Sequence, residues 1–128
     1  MPTILLVEDE TALRCVLSEY LAFYGYDVVA VPDGEEALLR ACAGAVDVVV
    51  SDVLLPGIDG LELCNRFRAD ERLAEIPFLF MTARNVDEQL RTTLAATGAG
   101  SVFKPFEPTE LLTNVRDAIT RRERVAKK

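Results

Sequence analysis

Val48-Val49-Val50-Ser51-Asp52-Val53-Leu54-Leu55-Pro56-Gly57-Ile58-Asp59-Gly60 is an apolar run that stops on a carboxylate and then turns. No polar side chain interrupts Val48 to Val50, which suits a strand covered on both faces. Three further runs share that form. Ile4-Leu5-Leu6-Val7 ends on Glu8-Asp9, Phe78-Leu79-Phe80-Met81 ends on Thr82, and Val102-Phe103 ends on Lys104. If the runs are parallel strands, their polar ends meet at one edge of one sheet. That edge is where open α/β sheets bind ligands.

Helical patterns alternate with these runs, which argues for a parallel sheet with helices on both faces. Strands are expected at about residues 3–8, 27–31, 46–51, 77–81 and 101–104. Leu13, Val16, Leu17, Tyr20, Leu21 and Tyr24 recur at helical spacing, with Gly25 as a stop. Asp33 with Glu36, and Asp59 with Glu62, have capping-box spacing. The first of these helices is expected to bury Ala37, Leu38, Ala41 and Cys42, the second Leu63 and Phe67. A fourth helix is expected from near Asn85, burying Val86, Leu90 and Leu94 and ending before Gly98. A fifth opens with Pro108 and buries Leu111, Leu112, Val115 and Ile119. Short connections and right-handed crossovers then give a five-stranded doubly wound α/β/α sandwich. Of two plausible strand orders, the flavodoxin-like 2-1-3-4-5 sets its switch point between the strands ending on Glu8-Asp9 and Asp52.

Composition narrows the chemistry. The 128 residues are 50% hydrophobic and 27% charged, enough for one domain with a real core. No apolar run approaches a bilayer span, and Met1-Pro2-Thr3-Ile4 does not read as a signal peptide, so a cytoplasmic protein without membrane insertion is expected. A net charge of −7 argues against direct binding of nucleic acid or anionic membrane. The charge is uneven, −10 before Lys104 and +3 from there on. Residues 1–122 are expected to form the domain and 123–128 a basic tail or linker start. Cys15, Cys42 and Cys64 are scattered, which fits unpaired thiols in a reducing compartment. The chain has no histidine, which excludes Ser-His-Asp and Cys-His catalysis and the usual zinc sites. No P-loop occurs.

Glu8, Asp9 and Asp52 would crowd one cleft. Two like charges ~4 Å apart repel by about 4 kcal/mol at an effective dielectric of 20. A proton or a cation must relieve that, and Mg²⁺ (or Mn²⁺) is the natural cation for carboxylates and phosphate. Glu8 and Asp9 equally suit a role as caps of the first helix. Asp52 suits either a turn or a nucleophilic carboxylate forming an acyl phosphate. Thr82 is a phosphate-facing hydroxyl or an ordinary strand-end threonine. Lys104 needs an anionic partner at the end of a buried strand, and Asp52 or its phosphate is the evident one.

Four ordered motifs, ILLVEDE, VVVSDVLLPGIDG, IPFLFMTA and FKPF, resemble the receiver domain of two-component response regulators over essentially the whole chain. The resemblance implies that Asp52 is the phospho-acceptor and that Glu8, Asp9, Asp52 and the Leu54 carbonyl hold Mg²⁺. It implies that Thr82 is the switch hydroxyl, with the small Ala83 beside it, and that Lys104 contacts phosphate through a chain that is typically cis at Pro105. A sensor histidine kinase or histidine phosphotransfer protein would be the donor. The surface of helix four, strand five and helix five would then signal to an effector the sequence does not name.

Two features depart from the pattern. Ser101 stands where the family usually has an aromatic switch residue, and the segment before Lys104 looks one residue short. Phe103, on the same strand face as Ser101, is a candidate replacement. Leu54 and Arg84 are expected to flank the cleft mouth and tune access. A degenerate receiver acting as a phosphorylation-independent binding module is the alternative function. A phosphatase on the same fold is a third, though the general acid such enzymes carry two residues after the nucleophile is here Leu54.

Overall fold

The computed structural model describes residues 2–83, 88–104 and 107–126. The elements in order are β1 (Thr3–Val7), α1 (Thr11–Phe23), β2 (Asp27–Val31), α2 (Gly34–Ala43), β3 (Val48–Asp52), α3 (Gly60–Ala69), β4 (Phe78–Ala83), α4 (Glu88–Ala96), β5 (Gly100–Lys104) and α5 (Pro108–Ala126). All strand pairs are parallel, in the order β2-β1-β3-β4-β5. The order reverses between β1 and β3, as the flavodoxin-like reading requires.

Alternation along the strands splits the core in two. Leu5, Val7, Val49, Phe78 and Phe80 pack with Ala37 and Ala41 of α2, Leu63 and Phe67 of α3 and Leu94 of α4. Ile4, Leu6, Val48, Val50, Leu79, Met81 and Val102 pack with Leu17 and Leu21 of α1 and Leu111, Leu112, Val115 and Ile119 of α5. Phe67, Phe78 and Phe80 form a ring cluster with successive centroids 5.4 Å apart.

The expected caps form. The Asp33 carboxylate accepts from the Glu36 amide at 2.8 Å, and Asp59 accepts from the Glu62 amide at 2.8 Å. Gly25, at φ 95°, ends α1, with its amide donating to the Ala22 carbonyl.

Several expectations need correction. Val16 is 59% exposed and Tyr24 45% exposed, so the buried stripe of α1 is narrower than its apolar stripe. Leu17 and Leu21 face the sheet, whereas Val16 sits on the outer flank and Tyr24 falls beyond the last helical turn. Cys42 is exposed rather than buried, because α2 turns only Gly34, Ala37 and Ala41 fully inward. Strand β3 starts at Val48 and includes Asp52, and β4 runs on through Thr82 to Ala83, because the ladders Asp52↔Met81 and Ala83↔Lys104 continue past the apolar runs. α4 is described from Glu88; Asn85, Val86, Arg84 and Pro105 lie outside the described residues. α5 runs from Pro108 to Ala126.

Candidate functional site

β1 and β3 pair through Val7↔Ser51, so the residues that follow, Glu8 and Asp52, stand side by side at the sheet edge. Carboxylate oxygens of Glu8, Asp9 and Asp52 all lie within 4.8 Å of one another. β5 delivers Lys104 to the same place. Its ammonium donates to Asp52 Oδ2 at 2.8 Å and to Glu8 Oε1 at 3.3 Å. Thr82, 3% exposed, follows Met81, the residue that pairs with Asp52. The residues that the sequence places at strand ends therefore share one edge.

The exit from β3 is built tightly. The Val53 amide donates to the Met81 carbonyl at 3.2 Å, and the Gly60 amide donates to the Val53 carbonyl at 2.8 Å. α3 thus starts against the strand end that carries Asp52. A Cβ at Gly60 would overlap the Asp52 carbonyl oxygen, so only glycine fits there. The Ser51 hydroxyl donates to that same carbonyl at 2.9 Å. Sequence reading missed both backbone supports. The repeated Asp-Gly at 33–34 and 59–60 was the available signal.

Glu8 is the strained member of the cluster. It is 1% exposed, and its carboxylate accepts from Lys104 at 3.3 Å and from the Glu10 amide at a long 3.4 Å. Burial, followed by the charge of Asp52, pushes its carboxyl from 4.5 up to about 7, against the pull of Lys104. Lys104 is partly buried, which alone would lower it, but the hydrogen bond and charge of Asp52, and then Glu8, hold it above its ordinary value. The helix-capping alternative for Glu8 and Asp9 is not what forms. The N-cap of α1 is Glu10, without a side-chain cap bond, and Arg14 of α1 instead donates to the Glu8 carbonyl at 2.8 Å.

With Glu8 ionised, three carboxylates against one ammonium leave an excess of two negative charges in one cleft. All the donors are hard oxygens, the set a small divalent cation prefers. The donor chemistry therefore fits Mg²⁺ or Mn²⁺.

Leu54, two residues after Asp52, exposes 78% of its surface. Ser101 pairs with Phe80 and Phe103 with Thr82, so Phe103 is the direct cross-strand neighbour of Thr82. The Arg91 guanidinium of α4 lies 5.6 Å from the centre of the Phe103 ring.

The family model for the response regulator receiver domain matches residues 4–116. The chain belongs to that family. Among solved structures, the chemotaxis response regulator CheY4 of Vibrio cholerae superposes with a TM-score of 0.85 at 32% identity, over 92% of this chain and 98% of that one. A putative response regulator from Chloroflexus aurantiacus gives 0.86 at 36% identity, over 94% and 99%. The DNA-binding dual master transcriptional regulator RpaA of Synechocystis is 34% identical over 98% of this chain and 52% of its own length. The phosphate regulon regulatory protein PhoB of Rhizobium meliloti is 37% identical over 94% and 53%. The chain thus spans about half the length of these curated relatives. Membership makes the chain a signalling domain of the two-component type. The relatives' names do not support the expectation that nucleic acid is excluded as a partner, since one of them is itself called DNA-binding. Among the described residues no helix is long and apolar enough to cross a membrane.

Proposed function

We propose that this receiver is a phosphorylation-dependent switch with Asp52 as its phospho-acceptor. The observation that carries the reading is the gathering of Glu8, Asp9 and Asp52 within 4.8 Å, with Lys104 2.8 Å from Asp52. Glu8, Asp9, Asp52 and the Leu54 carbonyl would hold Mg²⁺ (or Mn²⁺). When bound, the ion neutralises the excess carboxylate charge and the oxygens of the incoming phosphoryl group.

The donor is a phosphohistidine on a sensor histidine kinase or phosphotransfer protein, which this chain, having no histidine, cannot supply itself. An Asp52 oxygen attacks phosphorus, the bond to the histidine nitrogen breaks, and an acyl phosphate remains. Lys104, released from Asp52 by the new oxygens, pairs with phosphate, and Thr82 donates its hydroxyl to it. Both residues belong to the β4–β5 pair, so their movement reaches α4 and α5, and the phosphorylated state is the one an effector selects. Phe103 stands beside Thr82 and under Arg91 of α4, the position from which a ring would relay that movement in place of Ser101. Leu54 and Arg84 would govern access to the acyl phosphate.

Self-phosphorylation and slow hydrolysis are the only turnover in this reading. Residues 1–122 act as the receiver, with the basic 123–128 segment after it, in a cytoplasmic protein. Incubation with acetyl phosphate and Mg²⁺ tests the reading. One phosphoryl group should add to the intact mass and be lost in Asp52→Asn. A protein that stays unmodified while still binding its partner would favour the phosphorylation-independent module instead.

A further inference from the structure

The opposite edge of the sheet carries a cavity that signalling at Asp52 does not use. It measures about 430 Å³ and lies where β4 and β5 begin, between the α3–β4 and α4–β5 connections and the second half of α5. That volume is within the usual range for small-molecule sites. Its floor is apolar, from Pro77, Phe78, Leu79 and Ala118. Its wall at the α4–β5 connection is glycine. Gly98 has φ 76° and open space where a Cβ would stand, and Gly100 lies against Leu79. The short connection before Lys104 therefore leaves room where longer side chains would fill it.

The rim is cationic. Arg68, Arg121 and Arg122 line the cavity, and Glu75 is the one acid among its lining residues. All three arginines donate to backbone carbonyls, Arg121 through Nε to the Asp117 carbonyl at 3.4 Å. Arg68 donates one terminal nitrogen to the Ala74 and Ile76 carbonyls at 3.2 and 2.8 Å. Arg122 donates one to the Val46 and Asp47 carbonyls at 3.0 and 3.3 Å. These bonds orient the groups while leaving the rest of each donor fork uncommitted. Among the described residues no carboxylate pairs with Arg68 or Arg121, and Asp47 reaches Arg122 only at 3.9 Å. Pre-oriented guanidiniums above an apolar floor match a carboxylate, sulfonate or phosphate attached to a flat apolar body.

We propose that this cavity is a binding site for a small amphiphilic anion. The reading does not depend on phosphorylation of Asp52.

Anilinonaphthalene sulfonate has the required chemistry and is the probe. The full chain is titrated with it at saturating Mg²⁺, with fluorescence giving affinity and amide NMR shifts giving location. Saturable one-to-one binding is expected, with shifts centred on Gly98, Gly100, Asn114 and Ala118. The neutral phenylnaphthylamine should bind at least about tenfold more weakly, and Arg121→Glu, at an exposed rim position, should weaken the sulfonate by about tenfold. Arg40→Glu on the outer face of α2 should leave affinity unchanged. Ala118→Phe, which fills the cavity, should abolish binding if its thermal melt remains cooperative. Shifts centred on another surface, broad loss of signals from a loosened core, equal affinity for the neutral probe, or an indifferent Arg121→Glu would each overturn the assignment.

Discussion

Removing the Glu8 charge should stabilise the metal-free protein at alkaline pH and leave it unaffected in acid. In the fold, Glu8 holds its proton up to about pH 7, whereas an exposed glutamate releases it near 4.5. Below 4.5 both states carry the proton and the contribution to stability is constant. As pH rises from 4.5 through 7, the unfolded chain ionises first, and the folded state loses stability relative to it. A shift of that size corresponds to about 3 kcal/mol, fully lost above pH 7. Glu8→Gln keeps the shape and removes the titration. Urea unfolding with chelator at pH 5 and pH 8.5, for wild type and Glu8→Gln, isolates the effect, because the other groups largely cancel in the difference. Glu8→Gln should gain on the order of 2–3 kcal/mol relative to wild type between the two pH values. Mg²⁺ should restore the wild type at pH 8.5 and help Glu8→Gln much less. Parallel pH profiles for the two proteins would refute the claim that Glu8 is held ionised at a cost in a crowded cleft.

Other perturbations test the remaining parts. Gly60→Ala should cost about 2 kcal/mol or more in denaturant unfolding and slow phosphoryl uptake, because its methyl group displaces the Asp52 backbone. Lys104→Met should tighten Mg²⁺ binding severalfold by calorimetry, since it removes a competing positive charge, while abolishing the phosphorylation-dependent amide shifts of β5. Asp33→Ala and Asp59→Ala should each cost about 1 kcal/mol through loss of a cap. Phe103→Ala should leave uptake of phosphate intact but diminish the resulting amide shifts at Leu94 on α4 and Thr97 just after it; undiminished shifts would remove the ring from the relay.

The parts of the fold legible in the sequence were those fixed by local periodicity and by burial on both strand faces. Uninterrupted runs such as Val48–Val50 announce a doubly covered strand, and Asp33 and Asp59 announce helix starts through chemistry confined to four residues. Convergence at one sheet edge followed from parallel pairing, which explains why Glu8, Asp9, Asp52 and Lys104 were nameable in advance. Properties set by distant neighbours were not legible. Val16 and Cys42 fit the apolar pattern of their helices, yet the sheet reaches only part of each stripe. The strand ends at Asp52 and Thr82 extend because partner strands continue the ladder, which no local signal records. The raised Glu8 carboxyl depends on burial between three strand ends, and the close approach of Gly60 to Asp52 depends on where α3 lands.

The most direct measurement is the identity of the modified residue. After exposure to acetyl phosphate and Mg²⁺, borohydride reduction converts an acyl phosphate of aspartate to homoserine, and peptide sequencing by mass locates it. Homoserine at position 52, dependent on the metal, is the predicted result. Homoserine at position 9 or 47, or modification that persists in Asp52→Asn, would contradict it.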